Sequence, residues 1–515
     1  MDLVRALGVG YLPKELPPIF TSLTFANVSG GLKQTRPNDE TYPAKFSLAR
    51  TGGLRRATEI PNPFSQLSLV EHCSRNWATL RSIAGLSGIS TSRPVRASQK
   101  SERSLKHIGS PEKYERVLRS VGARFTLTTD VSNFFPSTYT HAVDWAVRGR
   151  ATAKRDRSAK SVGGKLDLLL RKGRGGQTVG ISIGPDTSWL ISELVLGRVD
   201  SALQRRHPGI GRHALRWVDD MVFYASSHGL AEEVLGHYEE ELGRFELSLN
   251  PLKTTIQAGI KPYQDEWLIR LRQARYRDDN EAHQADDIVD LFSLAFDIQS
   301  ALPNSGAISY AVKRCNPFPS GRAWEVFQEL LMASMALEPS SIRHVFDVMS
   351  FAKDIGLAVK DREFGEACNE LIMRHAPLEH GFEVAWLLLM LRELGLEPSE
   401  ESADAALLMH CNASNLLAWA ALKDSVWLQL SCTNLDAVVK RAEAADALQS
   451  EDWLLAYEAR ARRWCAPKNW AGSSAWREVK SAGVLFMDIP DPKAARPKRW
   501  RLRRMRPAFV STWGS

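Results

Sequence analysis

The sequence predicts an α+β fold followed by an all-α half built from helical repeats. Three observations carry that prediction. A β-prone run over 125–130 ends at Asp130, and Arg216, Trp217 and Val218 lead into Asp219 and Asp220 before a second run from Met221 to Ala225. Residues 189–204 and 230–245 show apolar positions at helical spacing, so the order is strand, helix, helix, hairpin, helix, strand. From 264–275 to 480 no strand pattern is evident, and helical stretches alternate with turns.

The first half is organised around its acids. Asp219 and Asp220 follow an apolar residue and precede a β-prone run, which reads as a hairpin whose turn carries both carboxylates. Side chains alternate along a strand, so one acid faces a site while its neighbour faces away. Asp130 closes the upstream run, before Phe134, Phe135 and Pro136 turn the chain. Hard divalent cations prefer oxygen ligands, and Mg²⁺ takes one or two carboxylates plus substrate phosphates. Carboxylates at a strand end and on a hairpin are what a two-metal site needs. The expected metal-holding set is Asp130, the adjoining Val131, and Asp219, with Asp220 as the third catalytic acid. Two Mg²⁺ ions are expected, with Mn²⁺ as a substitute.

At these residues the chain resembles a reverse transcriptase palm. Asp130 with Phe134 and Phe135 is similar to that family's first catalytic motif, and Trp217-Val218-Asp219-Asp220 to its Tyr-x-Asp-Asp motif, with Trp in place of Tyr. Between them, Gln177 to Ser188 resembles the motif that positions template and nucleotide; Val179 stands before Gly180 where the family often has Gln. Leu247 to Thr254 resembles the strand-turn motif that brings a Lys, here Lys253, to the incoming nucleotide. Phe134 to His141, the Gly184-Pro185-Asp186 ending and Ile60 to Pro63 resemble bacterial defence-associated reverse transcriptases of the abortive-infection (AbiK-like) type. That resemblance covers roughly residues 40–260 and implies reverse-transcriptase fingers and palm over 41–262; composition and helical pattern add an N-terminal arm over 1–40, a HEAT-like solenoid over 263–485 and a basic tail over 486–515.

It also implies antiphage DNA synthesis from deoxynucleoside triphosphates, possible without a template. A protein side chain would prime, leaving single-stranded DNA attached, within a homo-oligomer. Tyr11, Tyr42 and Tyr139 are the priming candidates. Phe135 stands at the position resembling the gate that excludes a ribose 2′-hydroxyl. Two alternatives stay open: a templated defence reverse transcriptase copying a small RNA, and a non-catalytic nucleic-acid-binding scaffold.

Taken in order, residues 1–40 are rich in Gly, Pro, Ser and Thr and read as an arm or oligomer contact. A strand through Phe46 to Arg50, a Gly52-Gly53 turn and a second strand from Arg55 read as a hairpin. Arg50 and Arg56 are expected to hold the triphosphate, with Arg55 as substitute, because guanidinium groups bond phosphate in pairs. Residues 87–110, with Arg93, Arg96, Lys100, Arg103 and Lys106, read as a loop along a phosphate backbone. The segment 148–174 carries ten Lys or Arg against two Asp, enough to neutralise several phosphates. Gly180 and Gly184 are expected to let the backbone approach template or nucleotide. Helices are expected over 287–301, 324–336, 342–351, 364–375, 382–393 and 403–411. His410 and Cys411 have no partner spacing for a metal and read as packing. The tail over 493–506 is strongly basic and reads as a nucleic-acid or subunit contact.

Composition bounds the rest. The 515 residues allow two to four domains, and 44% hydrophobic with 24% charged residues is ordinary for a globular chain. A net charge of +8 favours an anionic partner. No run of ~18 apolar residues is present, so no membrane span is expected, and no signal peptide is evident. The six cysteines form no CxxC pair, which disfavours a zinc site or disulfide framework and fits the cytoplasm.

Overall fold

The computed structural model describes residues 1–32, 39–107, 112–315, 318–423, 433–466 and 474–489. Its first part is mixed α/β, with strands β1 (Ala44–Ala49), β2 (Arg55–Ile60), β3 (Pro94–Arg96), β4 (Leu105–His107), β5 (Phe125–Asp130), β6 (Ala214–Trp217), β7 (Asp220–Ala225) and β8 (Thr255–Ala258). β1–β2 and β3–β4 are separate antiparallel pairs, and the central sheet runs β6-β7-β5-β8, every pair antiparallel. With helix Asp186–Arg206 before β6 and helix His228–Gly243 after β7, the connectivity is β-α-β-β-α-β.

Alternation sets the two faces of this sheet. Leu127, Met221, Phe223 and Ala225 enter the main core, while Leu215, Val222 and Tyr224 form a smaller cluster on the opposite face. Helix His228–Gly243 packs against β5, β7 and β8 and helix Asp186–Arg206 packs on it in turn. Helix Glu112–Arg119 lies along β6, where Arg116 bonds the Tyr224 hydroxyl at 3.3 Å.

Between 263 and 485 every element among the described residues is helical. The helices stand in two rows, each helix packing on the one two along. One row holds Glu281–Ala301, Gly321–Leu337, Asp361–His375, Glu400–Leu408 and Leu435–Glu443. The other holds Ala307–Arg314, Ile342–Asp354, Gly381–Leu394, Asn412–Lys423 and Trp453–Ala461. Outer helices such as Asp361–His375 bury one apolar face, while Gly381–Leu394, Asn412–Lys423 and Trp453–Ala461 are buried nearly all round.

Residues 1–32 are not a free arm. Leu7, Tyr11, Ile19 and Phe25 are fully buried, and Phe25 stacks on Phe486 at 5.6 Å between ring centroids. Thr21 N–H donates to the Phe486 carbonyl at 2.8 Å and Asp488 N–H to the Ile19 carbonyl at 2.7 Å. The prolines here shape turns between apolar residues that reach a shared core, so a Pro- and Gly-rich composition misled. For the same reason the start of the expected tail, Phe486 and Met487, is core. The tail over 493–506 lies outside the described residues. No described helix is long and apolar enough to cross a membrane.

The two halves share one core. β1 packs on helices Gly381–Leu394 and Asn412–Lys423, Trp453 Nε1 donates to the Ile60 carbonyl at 2.9 Å, and Asn62 Nδ2 donates to the Leu448 carbonyl at 2.8 Å.

Candidate functional site

The strand register brings the acids to one end of the central sheet. Asp130 on β5 lies directly opposite Asp220 on β7. Trp217 pairs with Asp220, leaving Val218 and Asp219 as a two-residue turn, so Asp220 opens β7 instead of sitting in the turn as the sequence implied. Val131 N–H donates to the Asp219 carbonyl at 3.0 Å, fastening the turn to the end of β5. The Val131 side chain has no donor atom, so the backbone carbonyl is the oxygen it could offer an ion.

The turn is strained. Val218 has φ 51°, a left-handed conformation costly for a β-branched residue. Its N–H donates to Ser92 Oγ at 2.8 Å, and its carbonyl accepts from Arg216 Nη1 at 2.5 Å. Arg216 is fully buried with two fully buried acids of helix Asp186–Arg206: it bonds Glu193 at 3.0 and 3.1 Å and Asp200 at 2.8 Å. Ser90 and Ser92 donate to Glu193 at 2.8 and 2.7 Å, and Ser87 donates to Asp200 at 2.6 Å. Sequence reasoning missed this network, because it read the serine-bearing segment as a loop along a phosphate backbone and assigned Glu193 and Asp200 no role. The available signal was a pair of acids seven positions apart beside the apolar positions Leu190, Leu194, Val195 and Val199.

Negative charge dominates the site. The Asp220 carboxyl is pushed up to about 7, first by loss of surrounding water and then by the charges of Asp219 and Asp130. Asp219 is raised too, chiefly by burial, while Lys253 and Arg56 pull it back. Asp130 accepts from Lys253 Nζ at 2.7 Å and from Asn250 Nδ2 at 3.3 Å. Carboxylates gathered in this way form a donor set suited to hard divalent cations. Two further groups, His207–Glu233–His237 and His375–His380–Glu383, have ligand atoms that all lie within 4.8 Å of one another. Those two groups have metal-binding capacity that the sequence reading did not find.

The other expected residues fall into two sets. In the first, Arg50 and Arg56 are exposed on the β1–β2 hairpin, and Arg56 is close enough to Asp219 to act on its titration. Phe135 is half-buried edge-to-face with Phe134 at 5.3 Å, and its carbonyl accepts from Ile181 N–H at 2.9 Å. Gly180 has φ 92°, donates to the Thr138 carbonyl at 2.8 Å, and has the Pro136 carbonyl 3.2 Å from where a Cβ would stand. Phe135 and Gly180 thus belong to one stitched unit. Tyr139 is half-buried between His141 and Trp145, and Tyr42 is exposed against Gly175.

The second set is occupied elsewhere. Arg55 bonds both oxygens of buried Glu383, so it is not free to replace Arg56. Tyr11 is fully buried with its hydroxyl donating to the Pro61 carbonyl, which removes it as a primer. Gly184 abuts Pro13, whose Cγ lies 2.6 Å from where a Cβ would stand, so this glycine admits a packed chain segment and not a template. Arg103 bonds Asp186 Oδ1 at 2.8 and 2.5 Å and the Leu12 and Gly184 carbonyls at 2.9 Å, so it ties the fold together instead of lying on phosphate. Within 148–174, Arg148 pairs with Asp144 and Asp156, Arg150 with Glu246, Arg171 with Asp167, and Arg174 with Glu59. Lys154, Arg155, Arg157 and Lys160 remain as exposed cations. His410 is exposed and Cys411 buried against Gly381, and neither joins a metal group.

No family model matches the chain, and no curated protein matches it. Among solved structures, one titled "Structure of apo telomerase from Candida Tropicalis" is similar at 11% identity and a TM-score of 0.31, covering 83% of this chain and 76% of that one. Similarity at that level says nothing about this chain's activity.

Proposed function

We propose that the chain is a DNA polymerase of reverse-transcriptase type, of the AbiK-like abortive-infection kind, acting in antiphage defence. The observation that carries this reading is the meeting of Asp130, Asp219 and Asp220 at one end of an antiparallel β-α-β-β-α-β sheet. In this reading the first half forms fingers and palm, and the two helical rows form a HEAT-like solenoid on which the fingers hairpin rests.

Asp130, Asp219 and the Val131 carbonyl would hold two Mg²⁺ ions, with Mn²⁺ as substitute, and Asp220 would support them. Bound there, the ions supply a more acidic attacking hydroxyl and neutralise charge on the leaving pyrophosphate. The hydroxyl oxygen forms a bond to the α-phosphorus, the bond to the pyrophosphate oxygen breaks, and the hydroxyl proton passes to solvent. Arg56 and Arg50 grip the triphosphate, which suits planar guanidinium donors. Lys253 lies at the site through Asp130 with its side chain 55% exposed, free to turn toward a phosphate. Phe135 screens the sugar, and Gly180 leaves room for the base pair. Tyr42 and Tyr139 remain as candidate protein primers.

The test is incubation of the full chain with labelled deoxynucleotides and Mg²⁺, followed by protease treatment. Label that moves with the protein until proteolysis supports a protein-primed polymerase. A product of fixed sequence copied from an RNA would replace that part of the reading with templated synthesis. Absence of incorporation under every metal and primer condition would overturn it.

A further inference from the structure

We infer that His207, Glu233 and His237 form a zinc site, separate from the acidic cluster, that ties the end of helix Asp186–Arg206 to helix His228–Gly243. His207 is the residue that caps the first helix, and Glu233 and His237 stand four apart on the second. Residues at that spacing share a helix face, so both point at the neighbouring helix end. All three offer a ligand atom within 4.8 Å of the other two. His207 Nε2 lies 2.8 Å from His237 Nδ1, with the rings tilted by 44°. Zinc held tetrahedrally at ~2.0–2.2 Å from nitrogen or oxygen needs only small side-chain rotations from this arrangement.

The surroundings single out these groups as ligands. Nearby acids are already paired: Glu232 with His228, and Glu240 and Glu241 with Arg206. Glu233 has no Lys or Arg ion pair among the described residues, and its carboxylate faces two imidazoles. Two imidazoles and one carboxylate favour zinc over magnesium. Three protein ligands leave a fourth position for water.

The other His/Glu group fails the same comparison. Both oxygens of Glu383 are engaged by Arg55, so a cation there would meet a guanidinium. The His207 site has no such competitor, and it fastens the two helices that back the acidic hairpin.

The experiment uses the untagged full chain, stripped with EDTA and dialysed against zinc, then measured for metal content and melting temperature. About one zinc per chain is expected, with a rise in melting temperature on zinc addition. Glu233→Gln, an exposed change that leaves the fold intact, and His237→Ala should each lower the retained zinc several-fold and abolish the rise. The Asp219→Asn Asp220→Asn variant should keep its zinc, so loss of one site is distinguishable from loss of the other. Cobalt substitution should give the visible absorption of a four-coordinate ion in the wild type and not in the variants. Zinc content and melting response that are equal in wild type and both variants, or no retained zinc in the wild type, would overturn the assignment.

Discussion

Replacing Arg216 with Met probes what holds the acidic turn in place. The guanidinium is fully buried between Glu193 and Asp200, which are equally buried, and it also supports the carbonyl of strained Val218. Removing one member of a buried ionic network typically costs ~3–5 kcal/mol, because the remaining charge is left without a partner. Two carboxylates are left here, so the upper part of that range applies, about 4–5 kcal/mol. At ~2–4 °C per kcal/mol for a region of ~200 residues, the melting temperature should fall by about 8–20 °C in calorimetry. Burial holds the Asp200 carboxyl above its ordinary range even with Arg216 beside it. A folded state that keeps a proton the unfolded chain has lost is favoured at lower pH. The deficit should therefore shrink as pH drops from ~8 toward ~5 and grow in the opposite direction. Adding Glu193→Gln and Asp200→Asn to Arg216→Met should restore part of the loss, since the unpaired charges go with them. A variant melting within about 2 °C of wild type at pH ~8 would refute the reasoning.

Other expectations follow from single contacts. Arg56→Ala should raise the KM for deoxynucleotides roughly 10–100-fold with little change in melting, as expected for a lost charge-assisted bond to phosphate. Arg55→Ala should instead destabilise by about 2–3 kcal/mol, because Glu383 keeps only 1% exposure, discounted for Arg55's own 25%; urea unfolding separates the two. Tyr11→Phe should cost about 1–3 kcal/mol by stranding the Pro61 carbonyl, yet leave DNA attachment unchanged in a labelling assay. Gly184→Ala, at φ 135° against Pro13, should cost about 1–3 kcal/mol and expose residues near Pro13 to limited proteolysis.

Local pattern made part of this molecule legible in its sequence. The alternation through Phe125–Asp130 and Asp220–Ala225 and the helical spacing of the second half are short-range signals, and the elements lie where those signals put them. Long-range pairing left no such trace. Arg55 and Arg56 point to opposite faces of β2, and only the docking of β1 on helix Gly381–Leu394 decides which one meets Glu383. The Arg216 network joins a strand, a helix and a loop of serines with no period in common. The basic stretch was half-readable, since Asp144 with Arg148 and Asp167 with Arg171 are spaced to pair on one helix face. Composition misled at the N-terminus, where Gly and Pro shape turns inside a buried segment.

The central claim is that the three acids at the end of β5, β6 and β7 perform metal-dependent nucleotidyl transfer. Its most direct measurement is Mg²⁺-dependent incorporation of labelled deoxynucleotides by wild type and by Asp219→Asn Asp220→Asn, at matched melting temperature. Incorporation in the wild type, lost on metal chelation and reduced at least about 10³-fold in the variant, is the predicted result. Equal incorporation by both proteins would contradict the claim.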